Sequence, residues 1–221
     1  RSNTRPGTLL KKQIPMRTFS EWDEYRPGFV EIDLVGHDGG LAAGEFMKTL
    51  DVTDIYSGWT ELAALRNKAQ VWVFEALKGI RPRLPFPLLG IDSDNGSEFI
   101  NHLLYGYCQS EKITFTRSRP YRKNDNCFVE QKNWSVVRRH VGYQRLDQED
   151  ELRLLTELYE YLRLYVNYFQ PVMRLEKKER HGASIKRTYS TAQTPYRRLI
   201  GSPHITEAGK QRLKREYVKL N

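Results

Sequence analysis

The sequence predicts an α/β layered fold on a mixed sheet that is partly antiparallel at its start. Three observations carry this. Two-residue alternation marks the first strands, and a strand–helix–strand–helix order follows them. The 221 residues are also 39% apolar, with 13 Tyr and 4 Trp, enough to bury a core between layers.

Residues 1–24, RSNTRPGTLLKKQIPMRTFSEWDE, are basic, broken by prolines and without sustained periodicity. They read as an extended linker or arm. In GFVEIDLVG, 28–36, Val30, Ile32 and Leu34 share one face while Glu31 and Asp33 share the other. After the Gly-rich turn GHDGGLAAG, strands are expected at FMKTLDVTD and, past Ser57-Gly58, at WTELAAL. Asn67 is placed to cap a helix whose stripe is Val71, Phe74 and Leu77, and RPRLPFP ends it. LLGIDSD, 88–94, reads as a buried strand. Ser97 to about Ser110 reads as a helix, and Ile113–Arg117 as a short strand.

A polar loop, SRPYRKNDN, leads to a helix from Cys127 to about Tyr143 with Phe128, Trp134, Val137 and Val141 among its apolar positions. A long helix over 149–169 follows, and ITEAGKQRLKREYVKL reads as a last basic helix. The chain thus divides into a basic arm (1–24), a core (25–146) and a helical, basic extension (147–221).

The net charge of +9 is uneven: residues 177–221 hold twelve Lys/Arg against three Glu, so the rest balances at twenty-four of each sign. A neutral body with a basic tail suits a polyanion such as nucleic acid; a solvated charged helix is the alternative. Cys108 and Cys127 form neither a CxxC pair nor a zinc spacing, which fits a reducing compartment. No apolar run approaches the ~18 residues of a membrane span. The opening RSNTRPG, without an initiating Met, reads as the start of a fragment.

Asp94 ends the strand 88–94, and Asn95-Gly96 makes the turn. A helix of ~12 residues at 1.5 Å each carries the chain back ~18 Å, and a five-residue strand at ~3.3 Å each returns it ~17 Å. The match predicts a crossover between parallel strands. If the first strand is parallel to these two, Asp33, Asp94 and Glu130 converge at the carboxyl edge of the sheet. Three clustered carboxylates repel one another unless a cation lies between them. Mg²⁺ or Mn²⁺, as a pair of ions, suits such hard oxygen ligands and phosphoryl displacement. Other acids have plainer readings. Asp92 pairs with a basic side chain, Glu98 meets a helix dipole in the first turn of its helix, and nothing singles out Glu31. His37 is a surface histidine or a neighbour of the metals.

An Asp on a first strand, then DNGSEF, then a Glu such that Asp94 and Glu130 bracket residues 95–129, resembles the DDE integrase and transposase superfamily. The segment SRPYRKNDNCFVEQKNW is similar to the stretch before the catalytic Glu in bacterial insertion-sequence transposases. KRTYSTAQTPYRRLI is similar to the stretch after their core.

The resemblance covers roughly residues 25–200. It implies a ribonuclease-H-like fold, a five-stranded mixed sheet with helices on both faces. Residues 25–146 become an integrase-like catalytic core, and Asp33, Asp94 and Glu130 its catalytic and metal-holding acids. Asn133 matches a position often polar in the family, without a catalytic role. The implied activity is metal-dependent DNA cleavage and strand transfer. The implied partners are transposon ends, target DNA and further copies of the chain, in the bacterial cytoplasm at the nucleoid.

Arg117, Arg119, Tyr121, Arg122 and Lys123 surround the loop beside Glu130, and Lys132, Arg138 and Arg139 continue the positive surface onto the helix. DNA contact is expected of this group, with solvated charge as the alternative. Two other functions remain: a metal-dependent nuclease of the same fold that only cleaves, and a DNA-binding or assembly module whose acids are structural.

Overall fold

The computed structural model describes residues 8–17, 25–119, 126–182 and 184–220. Strands β1 (Phe29–Gly36), β2 (Lys48–Asp54), β3 (Thr60–Leu65), β4 (Gly90–Ser93) and β5 (Thr114–Arg117) form one sheet in the order β3-β2-β1-β4-β5. β1 pairs antiparallel with β2, and β2 with β3; β1 pairs parallel with β4, and β4 with β5. The mixed sheet is therefore antiparallel at its start, as the sequence predicts.

Alternation sorts side chains between two layers. Val30, Ile32, Leu50, Val52 and Ile91 join one core with Val73 and Leu77 of α2 (Gln70–Ile80) and Leu104 of α3 (His102–Ser110). Val35 and Leu62 join the other, with Val136 and Val137 from beyond β5 and Leu155, Tyr159, Leu162 and Val166 of α6 (Glu149–Tyr168). Each such side chain, fully buried, contributes about 1.5–3 kcal/mol.

Several elements depart from their predicted form. Residues 8–17, expected as extended arm, contain a short helix, α1 (Thr8–Gln13), because Leu10 and Ile14 are buried in the first core. The chain then joins the outer edge of β5: the Arg117 N–H donates to the Pro15 carbonyl, and the Arg17 N–H to the Arg117 carbonyl, both at 3.0 Å. On α2 the inward stripe is Val73, Leu77 and Ile80, while Val71 is exposed. α3 begins five residues later than predicted. Asn101 caps it by accepting the Leu104 N–H at 2.9 Å, which leaves Glu98 outside the helix.

The helix after β5 is α4 (Cys127–Lys132), then a π-helical turn Asn133–Arg138, then α5 (Arg139–Val141). The wide turn changes which residues face inward, so Trp134, an apolar position of the predicted helix, is 60% exposed while Val136 and Val137 are buried. A two-stranded hairpin, β6 (Leu175–His181) and β7 (Ser184–Tyr189), interrupts the helical extension. α7 (Pro195–Gly201) and α8 (Glu207–Leu220) follow and return Leu199 and Leu213 to the first core.

Candidate active site

The parallel pairing of β1, β4 and β5 decides where the acids stand. In the β1–β4 register Ile32 lies opposite Ser93; one residue further, Asp33 comes beside Asp94, where β4 has ended. Asp94 Oδ1 accepts the Gly96 N–H at 2.8 Å, closing the Asn-Gly turn. Asn95 ties this turn to the chain leaving β5, donating to the Ser118 carbonyl at 2.8 Å and accepting from Arg117 at 3.0 Å.

Glu130 lies in the first turn of α4, and β1 fixes that turn. Glu31 is fully buried, and its Oε2 accepts the Val129 N–H at 2.9 Å. One turn on, the Asn133 amide donates to Asp33 Oδ2 at 2.7 Å. Asp33 Oδ1 accepts the Leu34 N–H. The π-helical turn thus starts at the residue that grips Asp33.

Burial raises the Asp33 pKa from 3.8 to about 6, and the charges of Asp94 and Glu130 add to the rise. Burial also holds Glu31 well above the usual carboxylate range, with Asp92 and Glu130 adding to it. Asp92 is buried and accepts from Thr116 Oγ1 at 2.5 Å. Among the described residues, no three acids or other ligating side chains already stand close enough to hold a metal ion.

The same sheet face carries a second buried pair. Asp51 lies opposite Asp33 in the β1–β2 register. Burial lifts its carboxyl to about 8, and Lys132 pulls it back down. Burial lowers Lys132 to about 8, against the support of Asp51. Lys132 is 5% exposed, so it is no part of an open positive surface.

Arg117 and Arg138 are also engaged within the chain. Arg117 donates to the carbonyls of Lys11 and Ile14, and Arg138 to those of Gly36 and Gly142. Arg119 and Arg139 are exposed, Arg139 over the Trp134 ring at 5.7 Å. Tyr121, Arg122 and Lys123 lie outside the described residues. His37 is fully buried and so no surface histidine; its Nε2 bonds Thr49 Oγ1 at 2.7 Å, and Thr49 bonds the Tyr159 hydroxyl. Alternation pointed to Asp33 and the resemblance to a polar position at Asn133, but nothing short of the folded contacts marked Glu31 or the Asp51–Lys132 pair.

No family model matches the chain. The chain is 43% identical over 192 residues, 87% of its length, to the uncharacterized protein y4rM of Sinorhizobium fredii, and spans 55% of that protein. Among solved structures it is similar to the catalytic core domain of BIV integrase, with a TM-score of 0.52 and 16% identity over 88% of this chain and 99% of that one. It is also similar to a chain of the simian T-cell lymphotropic virus intasome in complex with PP2A regulatory subunit B56 gamma. There the TM-score is 0.52 and the identity 15% over 71% of this chain and 52% of the other. The fold is accordingly the ribonuclease-H-like fold of an integrase catalytic core.

Proposed function

We propose that the chain is a polynucleotidyl transferase of the DDE type, a transposase or integrase core that cleaves DNA and joins strands with Asp33, Asp94 and Glu130 as its acids. The observation that carries this reading is the state of Asp33. It sits at the carboxyl edge of β1 with its proton affinity raised by burial and by both other acids, and no basic residue among the described ones is an influence on it. A divalent cation reverses that penalty, and three carboxylates are a hard oxygen donor set suited to Mg²⁺ or Mn²⁺. Asp33, Asp94 and Glu130 would hold two such ions, which supply charge neutralisation at the phosphoryl group and activation of the attacking oxygen.

The chain's own part is placement. Asn133 holds one oxygen of Asp33, so the carboxylate is presented in a fixed orientation. Glu31 anchors the first turn of α4, so Glu130 projects from a fixed helix. The Asn95–Ser118 bond joins the Asp94 turn to the loop after β5. In this reading water attacks a phosphodiester to free a 3′-hydroxyl, and that hydroxyl then attacks a target strand in line.

Exposed Arg119 and Arg139 contact DNA phosphate together with Arg122 and Lys123, and Tyr121 stacks on a base. Two DNA ends processed together require at least two copies. The exposed stripe Leu154, Leu158, Tyr161 and Tyr165 on α6 supports such a contact between copies.

The test is Asp94→Asn in a product gel with Mg²⁺. Expected is loss of cleavage and joining, by about 10³-fold or more, with melting temperature unchanged. Retained Mg²⁺-dependent nicking by the variant defeats the assignment. Cleavage without joining by the parent chain favours the nuclease instead.

A further inference from the structure

Residues of α4 line a cavity of about 310 Å³ between the end of β2, the segment after α6, β7 and α7. Three cationic side chains reach its wall, Lys132, Arg174 and Arg198, and no Asp or Glu is among the described lining residues.

The cations are built in. Arg198 donates to the carbonyls of Ser57 and Val172; Arg174 donates to the Tyr56 carbonyl and lies over the Tyr56 ring at 5.6 Å. Lys132 is buried, and its side chain lines the cavity beside Gln131 and Phe128. The three feel one another: burial and then Arg174 lower Arg198 to about 10, and Arg198 helps lower Lys132. Asp51, behind Lys132, is the carboxylate that opposes this. Concentrated positive charge in a concave, partly apolar site is a site for an anion. The rest of the wall narrows the choice: Phe128 and Tyr189 offer ring faces, and Gln131 offers an amide for hydrogen bonds.

We propose that this cavity binds one nucleoside phosphate unit, its phosphate held by Lys132, Arg174 and Arg198 and its base against Phe128 and Tyr189. The unit is either a free nucleotide or one nucleotide of a single strand turned into the cavity. The proposal uses none of the three acids and stands whether or not they are catalytic.

The test is calorimetric titration of the 221-residue chain, in chelator, with deoxyadenosine monophosphate and with a 5′-phosphorylated single-stranded oligonucleotide. Binding of both identifies a free-nucleotide site; binding of the oligonucleotide alone identifies the strand. Lys132→Met and Tyr189→Ala should each weaken binding at least about tenfold, the loss of one charged or stacking contact. Asp33→Asn should leave it unchanged. Tyr189 is half-exposed, so its variant remains informative should Lys132→Met fail to fold. The proposal is overturned if neither probe binds, if folded variants bind as the parent does, or if Asp33→Asn abolishes binding.

Discussion

Replacing Asp33 with Asn should strengthen the metal-free fold at alkaline pH while removing activity. Asp33 carries a pKa raised from 3.8 to about 6. At about 1.36 kcal/mol for each tenfold change in proton affinity, that rise is about 3 kcal/mol. The folded state holds this proton more tightly than the unfolded one. The contribution to stability is thus complete below the unfolded pKa of 3.8 and lost as pH rises through about 6.

At about pH 8 the ionised carboxylate weighs against folding, and the neutral amide of Asp33→Asn does not. The amide can also be accommodated, because Asn133 Oδ1 is buried without a partner among the described residues and, once flipped, accepts from it. Urea unfolding in chelator should show the variant more stable by roughly 2–3 kcal/mol at about pH 8. The gap should close toward about pH 4. Asp51, lifted to about 8, and Asp54, lifted to about 6, titrate in both proteins and largely cancel in the difference. Millimolar Mg²⁺ should stabilise the parent and not the variant. A gap that is absent, or flat with pH, refutes the electrostatic account of this site.

Glu61 is fully buried and takes two bonds from Arg163, at 2.6 and 2.9 Å, and one from the Trp59 indole. Arg163→Met removes two of these bonds but leaves Arg83 Nε 3.3 Å from Glu61, so it should cost about 1–3 kcal/mol by urea unfolding. His37 is lowered from 6.5 to about 4 by burial, with Arg138 and Lys48 adding. Its stabilisation is present above 6.5 and lost as pH falls through about 4, so His37→Gln should flatten the acid limb of the stability curve. Arg139→Ala should weaken DNA binding about evenly across sequences and reduce the salt slope by about one, read by anisotropy titration.

β1 was legible because one face of it is fully apolar, and the crossover to β5 because strand and helix lengths must match when both ends stay in one sheet. The acids were harder. Asp33 and Asp94 announce themselves at strand ends, whereas Glu31 and Asp51 look like solvent-facing residues of alternating strands. Only the tertiary cover from α4 makes them buried, and no local pattern encodes that cover. Trp134 departs from its expected inward position for a related reason: the helical period assumes 3.6 residues per turn, and the π-helical turn breaks it. α1 escaped notice because six residues are too few for a period, and Leu10 and Ile14 order it by docking.

Pro15–Arg17 acts as a selvedge for the sheet, hemming the one side of β5 that β4 leaves bare. A version trimmed to begin at the first strand would present that side to any passing extended chain, and self-pairing there would compete with recovery of soluble material. Truncations designed to isolate the five-stranded sheet and its helices should therefore retain the opening segment.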